Sequence, residues 1–177
     1  MMDMCAHDRE VLVAEMRDRG IRFLAPGDAK LGVARLSDKE LLLHLAQHQD
    51  PRLRFALIPW FILNPAVHVL MPLVVQELPA AARVELKALY TAAVYLQRLW
   101  WTRLRFYLDN FEELPDEFSS ELELPPATER HGKAGLHALA DWHARQSDYP
   151  VNRLASYNRM IDLLFRQLIQ ETRKRAA

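Results

Sequence analysis

At 177 residues the chain is long enough to bury the core of one domain without covalent staples. Half of it is hydrophobic and only 5 residues are glycine, too few turn formers for a many-stranded fold, so an all-α fold is expected. The 23 basic residues balance 23 acidic ones, which excludes a net field drawing in nucleic acid or an anionic membrane, and the single cysteine, Cys5, excludes an intrachain disulfide.

Between Ala6 and Arg19, the apolar Val11, Leu12, Val13 and Met16 lie among charges and Gly20 follows as a cap, which predicts a first amphipathic helix. No apolar leader or cleavage site precedes it, so a cytoplasmic location is expected. Ile21 to Leu24 and Leu31 to Val33 read as two short strands joined across Pro26-Gly27-Asp28, a small N-terminal β-hairpin. Such a hairpin is marginal alone and has to lean on the helices or on a partner chain.

Ser37-Asp38-Lys39-Glu40 is a capping box, and it predicts a helix over Asp38 to Gln49. That helix meets Asp50-Pro51 in a tight turn, so the next helix lies antiparallel to it or crosses it steeply. From Phe55 to Gln76 there is no charged side chain, a run long enough for a membrane span. Its prolines argue for protein surroundings instead. Pro51, Pro65 and Pro79 recur every 14 residues, the first two behind the capping residues Asp50 and Asn64. The run then becomes two helices, Pro51 to Leu63 and Pro65 to Glu77, each too short to span, with a third starting at Pro79. Pro59 and Pro72 fall inside these helices and should bend or shorten them. A buried central layer is expected.

The stretch Asp50-Pro51-Arg52-Leu53-Arg54-Phe55-Ala56-Leu57 resembles the start of the second helix of a HEAT-type repeat, which commonly reads Asp-Pro-x-Val-Arg-x-Ala. The likeness covers Ser37 to about Leu63. Asn64-Pro65-Ala66-Val67 echoes it with His68 in place of the arginine, and Leu78-Pro79-Ala80-Ala81 keeps only the proline. The 14-residue pitch is too short for complete two-helix repeats. The resemblance implies one HEAT-like hairpin inside a helical domain, of a kind that serves as a protein-binding scaffold.

From Ala80 to Leu108 there is neither Pro nor Gly, and Leu86, Leu89, Tyr90, Ala93, Leu96, Gln97, Trp100, Leu104, Tyr107 and Phe111 recur at helical spacing. One helix of about 40 Å is predicted, with Lys87, Thr91, Arg98, Thr102 and Arg105 on its polar face. Asp109 to Glu129 carries acids and no Lys or Arg. It reads as a loop with one short helix over Asp116 to Leu122, packed down by Leu114, Phe118, Leu122 and Leu124. A helix over Thr128 to Arg145 follows, in which Gly132 and Gly135 mark close helix contact or a broken first turn. The last helix starts after Pro150, with Leu154, Tyr157, Ile161, Leu164, Phe165 and Leu168 on one stripe. Its closing Arg173, Lys174 and Arg175 suit the helix dipole. The organisation is one helical domain over 1–177: an N-terminal part over 1–36, a central helical layer over 37–108, an acidic connector over 109–129 and a C-terminal helical pair over 130–177.

No catalytic residue or cofactor emerges, since phosphate-binding glycine loops and Cys-x-x-Cys are both missing. His44 and His48, four apart on the capped helix, are the metal candidates, although the intervening Leu45, Ala46 and Gln47 lack the glutamate of a metalloprotease motif. His131, His137 and His143 with Asp141 form a second set, without a paired nucleophile. Tyr95, Arg98, Trp101, Arg103, Arg105 and Tyr107 interleave aromatic and basic groups, with Trp101 fitting the core stripe least. Such a surface suits bases and phosphates, but aromatic and arginine side chains also concentrate energy at protein interfaces. The expected function is non-catalytic: an adaptor or the neutralising member of a protein pair, with interaction residues Arg98, Trp101, Arg103 and Arg105. The partner is an unidentified protein or a second copy, and no membrane is involved. A metal-binding helical-bundle enzyme using His44 and His48 is the alternative, and a nucleic-acid binder through the Arg98 to Arg105 face ranks third.

Overall fold

A computed structural model describes residues 9–24, 35–146 and 151–176. They form one all-α domain. Its helices are α1 (Arg9–Asp18), α2 (Asp38–Gln47), α3 (Pro51–Phe55), α4 (Leu57–Leu63), α5 (Met71–Glu77), α6 (Ala80–Leu99), α7 (Trp101–Tyr107), α8 (Lys133–Arg145) and α9 (Arg153–Ala176), with 3₁₀ turns at Pro65–Leu70 and Glu129–Gly132. Cys5 and Leu31 to Val33 with the preceding turn lie outside the described residues. Ile21 to Leu24 is irregular rather than a strand. The Gln167 side chain satisfies the backbone there, accepting the Arg22 N–H at 2.8 Å and donating to Gly20 O at 2.7 Å.

The capping box forms as the sequence predicts: Ser37 Oγ accepts the Glu40 N–H and the Glu40 carboxylate accepts the Ser37 N–H at 2.8 Å. Asp50 caps α3 by accepting the Arg52 N–H at 2.9 Å. The two prolines inside the apolar run act as expected. Pro59 has no N–H for the carbonyl of Phe55 and its ring crowds that carbonyl, so the helix breaks at Ala56 into α3 and α4. Pro72 stands in the same relation to His68, and there a 3₁₀ turn gives way to α5. Asn64 departs from its expected role. Its side chain makes no cap and donates instead to Arg19 O at 3.1 Å and Trp60 O at 3.2 Å.

The apolar run is bent by 115° between its two proline-led halves, and among the described residues no single helix is long and apolar enough to cross a membrane. The first half is buried as expected, from Leu57 through Ile62. The second is not. Val69 is 64% exposed and Leu73 52%, because this half packs inward through Val67, Met71 and Val74 only.

Helix α6 is the axis of the domain, packed against α4 on one side and α8 on another. Its residues from Ala88 to Gln97 are buried all round. Thr91, expected on a polar face, is inside because the 109–127 segment covers that face. Tyr90 and Tyr95 donate their hydroxyls to the carbonyls of Pro115 and Pro125, at 2.9 and 2.6 Å. Gln97 holds the same segment at both ends of its amide, donating to Glu112 O and accepting the Leu114 N–H. The helix expected over Asp116 to Leu122 is a single turn. Asp116 accepts from Ser119 N and Oγ at its start, and Glu123 at φ 55° closes it.

The long helix expected through Leu108 kinks at Trp100, whose backbone sits at φ −106°, ψ 20°. The kink turns α7 toward α9, so that the Trp100 ring meets Phe165 edge-on at 5.6 Å and Tyr107 reaches the same ring. Packing overrides helical periodicity at this point. The helix expected from Thr128 begins at Lys133, after a 3₁₀ turn ending at Gly132, and both glycines mark close helix contact: a Cβ on Gly135 would enter the Tyr95 ring, and one on Gly132 would meet the Tyr95 backbone.

Candidate functional site

The four interaction candidates all stand at the α6–α7 junction, and the structure divides their work. Arg98 is half-buried, paired with Glu113 at 2.5 Å and donating to Leu114 O at 3.1 Å. Trp101, 37% exposed, donates its indole N–H to the other Glu113 oxygen at 3.0 Å and takes Phe111 edge-on at 6.3 Å. The Arg105 guanidinium lies 4.6 Å from the Trp101 ring centre. Arg103 faces the other way, 3.9 Å over the Phe165 ring, a cation–π contact to α9.

Arg98, Trp101 and Arg103 line one cleft of about 1190 Å³; Arg105 stands behind Trp101 and does not. Opposite them the cleft is closed by Ala127, Thr128, Arg130 and His131. Its most exposed large apolar member is Phe106, at 79%. Phe106 had a sequence signal that went unread, being an aromatic residue off the core stripe between Arg105 and Tyr107. Arg130 had none. The backbone of Arg130 (φ 46°, ψ 39°) and His131 (φ 54°, ψ 42°) is left-handed, a conformation that costs a side-chain-bearing residue about 1 kcal/mol or more. The strain follows from Gly132, whose close approach to Tyr95 fixes where α8 begins. This turn carries Arg130 and His131 to the cleft wall. Trp100 adds a buried indole N–H with no acceptor.

The histidine sets fare differently. His48 leaves α2 as its C-cap in extended backbone, and its Nδ1 accepts the Asp50 N–H at 2.9 Å, so it does not continue the helical face of His44. Among the described residues no group of three or more His, Cys, Asp or Glu side chains is placed to hold a metal ion. His131, His137 and His143 do not converge: His131 is at the cleft, His137 and Asp141 are exposed on α8, and His143 is inside.

His143 is the centre of a buried network that sequence reasoning missed. At 1% exposure its Nδ1 lies 2.5 Å from the Tyr157 hydroxyl and its Nε2 2.5 Å from Glu85, whose other oxygen is 3.5 Å from Arg54 Nε. Phe55 stacks on the imidazole at 6.4 Å. Burial works to raise the Glu85 carboxyl, but the hydrogen bond from the His143 ring and the field of that ring, Arg54 and Arg153 outweigh it and hold the group below its ordinary value. Burial and the Glu85 charge push the Tyr157 phenol far up, so it keeps its proton. The four side chains come from α3, α6, α8 and α9. The network ties these helices together.

Compared with known proteins, the chain matches no family model, no curated protein and no solved structure.

Proposed function

We propose that this chain is a non-catalytic interaction protein, an adaptor or the neutralising member of a protein pair, that takes an apolar segment of a partner into the cleft beside α7. The observation that carries the reading is Phe106, 79% exposed on a cleft of about 1190 Å³ with Trp101 in its wall. That volume exceeds the roughly 300–1,000 Å³ of small-molecule sites. Leaving a phenyl ring in water forgoes about 2 kcal/mol of burial that a partner would recover. Arg103, Arg130 and His131 favour acidic residues flanking the apolar segment. The resemblance of Asp50 to Leu57 to a HEAT-type repeat helix supports a binding role, and the lone cysteine a cytoplasmic setting.

A nucleic acid suits this cleft less well. Glu113 already takes the Arg98 charge and the Trp101 N–H, leaving a carboxylate where a phosphate would have to approach. The metal-enzyme alternative loses the shared helical face on which His44 and His48 were paired.

The test is capture of partners from source cells by tagged wild-type protein and by Phe106→Asp in parallel, with both proteins sized by light scattering. A stoichiometric protein held by the wild type and weakened about tenfold or more by the variant is expected. A partner held equally by both proteins would overturn the cleft, and nucleic acid as the captured species would overturn the protein-partner reading.

A further inference from the structure

A second opening, remote from the α7 cleft, lies where α3 meets α9. It encloses about 520 Å³, within the range typical of small-molecule sites. Five arginines line it: Arg9, Arg52, Arg54, Arg153 and Arg159. Their floor is apolar, made by Leu24, Phe55, Met160 and Leu163. Leu24, Phe55 and Met160 are buried.

The arginines are unequally satisfied. Asp50 meets Arg9 at 3.3 Å. Arg54 is spent on the fold, pairing with Glu85 and donating to the carbonyls of His48 and Gln49 at 2.6 and 3.1 Å. Arg153 lies over the Phe55 ring at 5.7 Å. The side chains of Arg52 and Arg159 form no ion pair among the described residues. A concave, low-dielectric wall focuses the field of such a cluster outward, and anions are drawn to it. Arginine suits carboxylate and phosphate oxygens because its fork offers paired N–H donors. The apolar lining adds a second requirement, since a bare inorganic anion would leave Val151, 45% exposed, and the half-buried Phe23 and Leu163 facing water.

We infer that this opening is a binding site for a single-chain amphiphilic anion, its acidic head on Arg52 and Arg159 and its apolar body on Phe23, Val151 and Leu163. The shape and charge complement one another, and both halves of the ligand are needed. Because Arg54 and Phe55 also contact the Glu85–His143 network, the site rests on a rigid floor, and its geometry does not depend on the α7 cleft.

The experiment is fluorescence titration of the full chain with anilinonaphthalene sulfonate, itself an aromatic amphiphilic anion, followed by displacement with decanoate, decan-1-ol and inorganic phosphate. One saturable site is expected, emptied by decanoate at concentrations at least tenfold below those needed for the alcohol or the phosphate. Arg52→Glu with Arg159→Glu, both on exposed side chains, should weaken the probe at least tenfold while leaving the circular dichroism unchanged. Displacement by decan-1-ol as readily as by decanoate would overturn the role of the arginines, and displacement by phosphate as readily would overturn that of the apolar lining. Absence of saturable binding, or a folded variant that binds as the wild type does, would overturn the site. The ligand comparison is made on the wild type, so it stands whether or not the double variant folds. Phe106→Asp should bind the probe unchanged, which separates this site from the interaction cleft.

Discussion

The two halves of the apolar run share a composition and a proline pattern and end in different places. Pro51 to Leu63 is broken by Pro59 and is buried continuously from Phe55 to Ile62, with Trp60 and Phe61 among the largest fully buried side chains. Pro65 to Glu77 is broken by Pro72 and keeps Val69 and Leu73 outside. Helix α4 lies against both α6 and α9, whereas α5 rests on α2 and α6 along one side only. Apolar residues must leave water only when enough neighbours arrive to cover them, so a run of uniform hydrophobicity carries no uniform burial.

Substitutions in the two halves separate what burial contributes from what composition suggests. The largest loss is expected for Phe61→Ala, which empties a fully buried site whose ring meets Tyr90 edge-on at 5.2 Å; urea unfolding should show about 3–5 kcal/mol. The anchoring ion pairs come next. Glu85→Ala strands His143 and Arg54 without their carboxylate and should cost about 3 kcal/mol. In the second half, His68 pairs with Glu117 at 2.9 Å near the surface, and His68→Ala should cost less than about 1 kcal/mol.

The same glutamate predicts a pH dependence. Glu85 is held below its ordinary value in the folded protein, so its contribution is complete above an unfolded value of about 4.3 and is lost as pH falls through the lower folded value. Unfolding free energy measured across that acid range should fall less steeply in Glu85→Gln than in the wild type; equal slopes would show that another carboxylate carries the transition. The smallest effects are expected for Val69→Ser and Leu73→Ser, within about 0.5 kcal/mol each. A loss of 2 kcal/mol or more, growing with protein concentration, would mean that a second copy covers this face and that the contrast between the halves belongs to the monomer alone.

Much of the helical outline was legible because its signals are local. The capping box, Asp50-Pro51 and the two internal prolines each act within about four residues, and each had its effect where it stood. The interaction candidates were legible in part. Arg98, Trp101 and Arg103 do share one cleft, and the acidic segment folds back so that Glu113 pairs with Arg98. Arg130 was not legible, since its left-handed backbone follows from the contact of Gly132 with a helix more than thirty residues earlier. In the sequence His143 stands only as one of a set with His131, His137 and Asp141. Its true partners, Glu85 and Tyr157, stand 58 and 14 residues away.

By itself the sequence determined the all-α class, most helix starts and the breaks at proline, because backbone hydrogen bonding and capping are settled between near neighbours. Tertiary structure alone decided which half of the apolar run is covered, where the long helix kinks, and which arginines gather around each opening. These depend on side chains far apart in sequence meeting in a close-packed interior, where a ring such as Phe165 or Tyr95 fixes its neighbours by volume and contact, quantities no local pattern encodes.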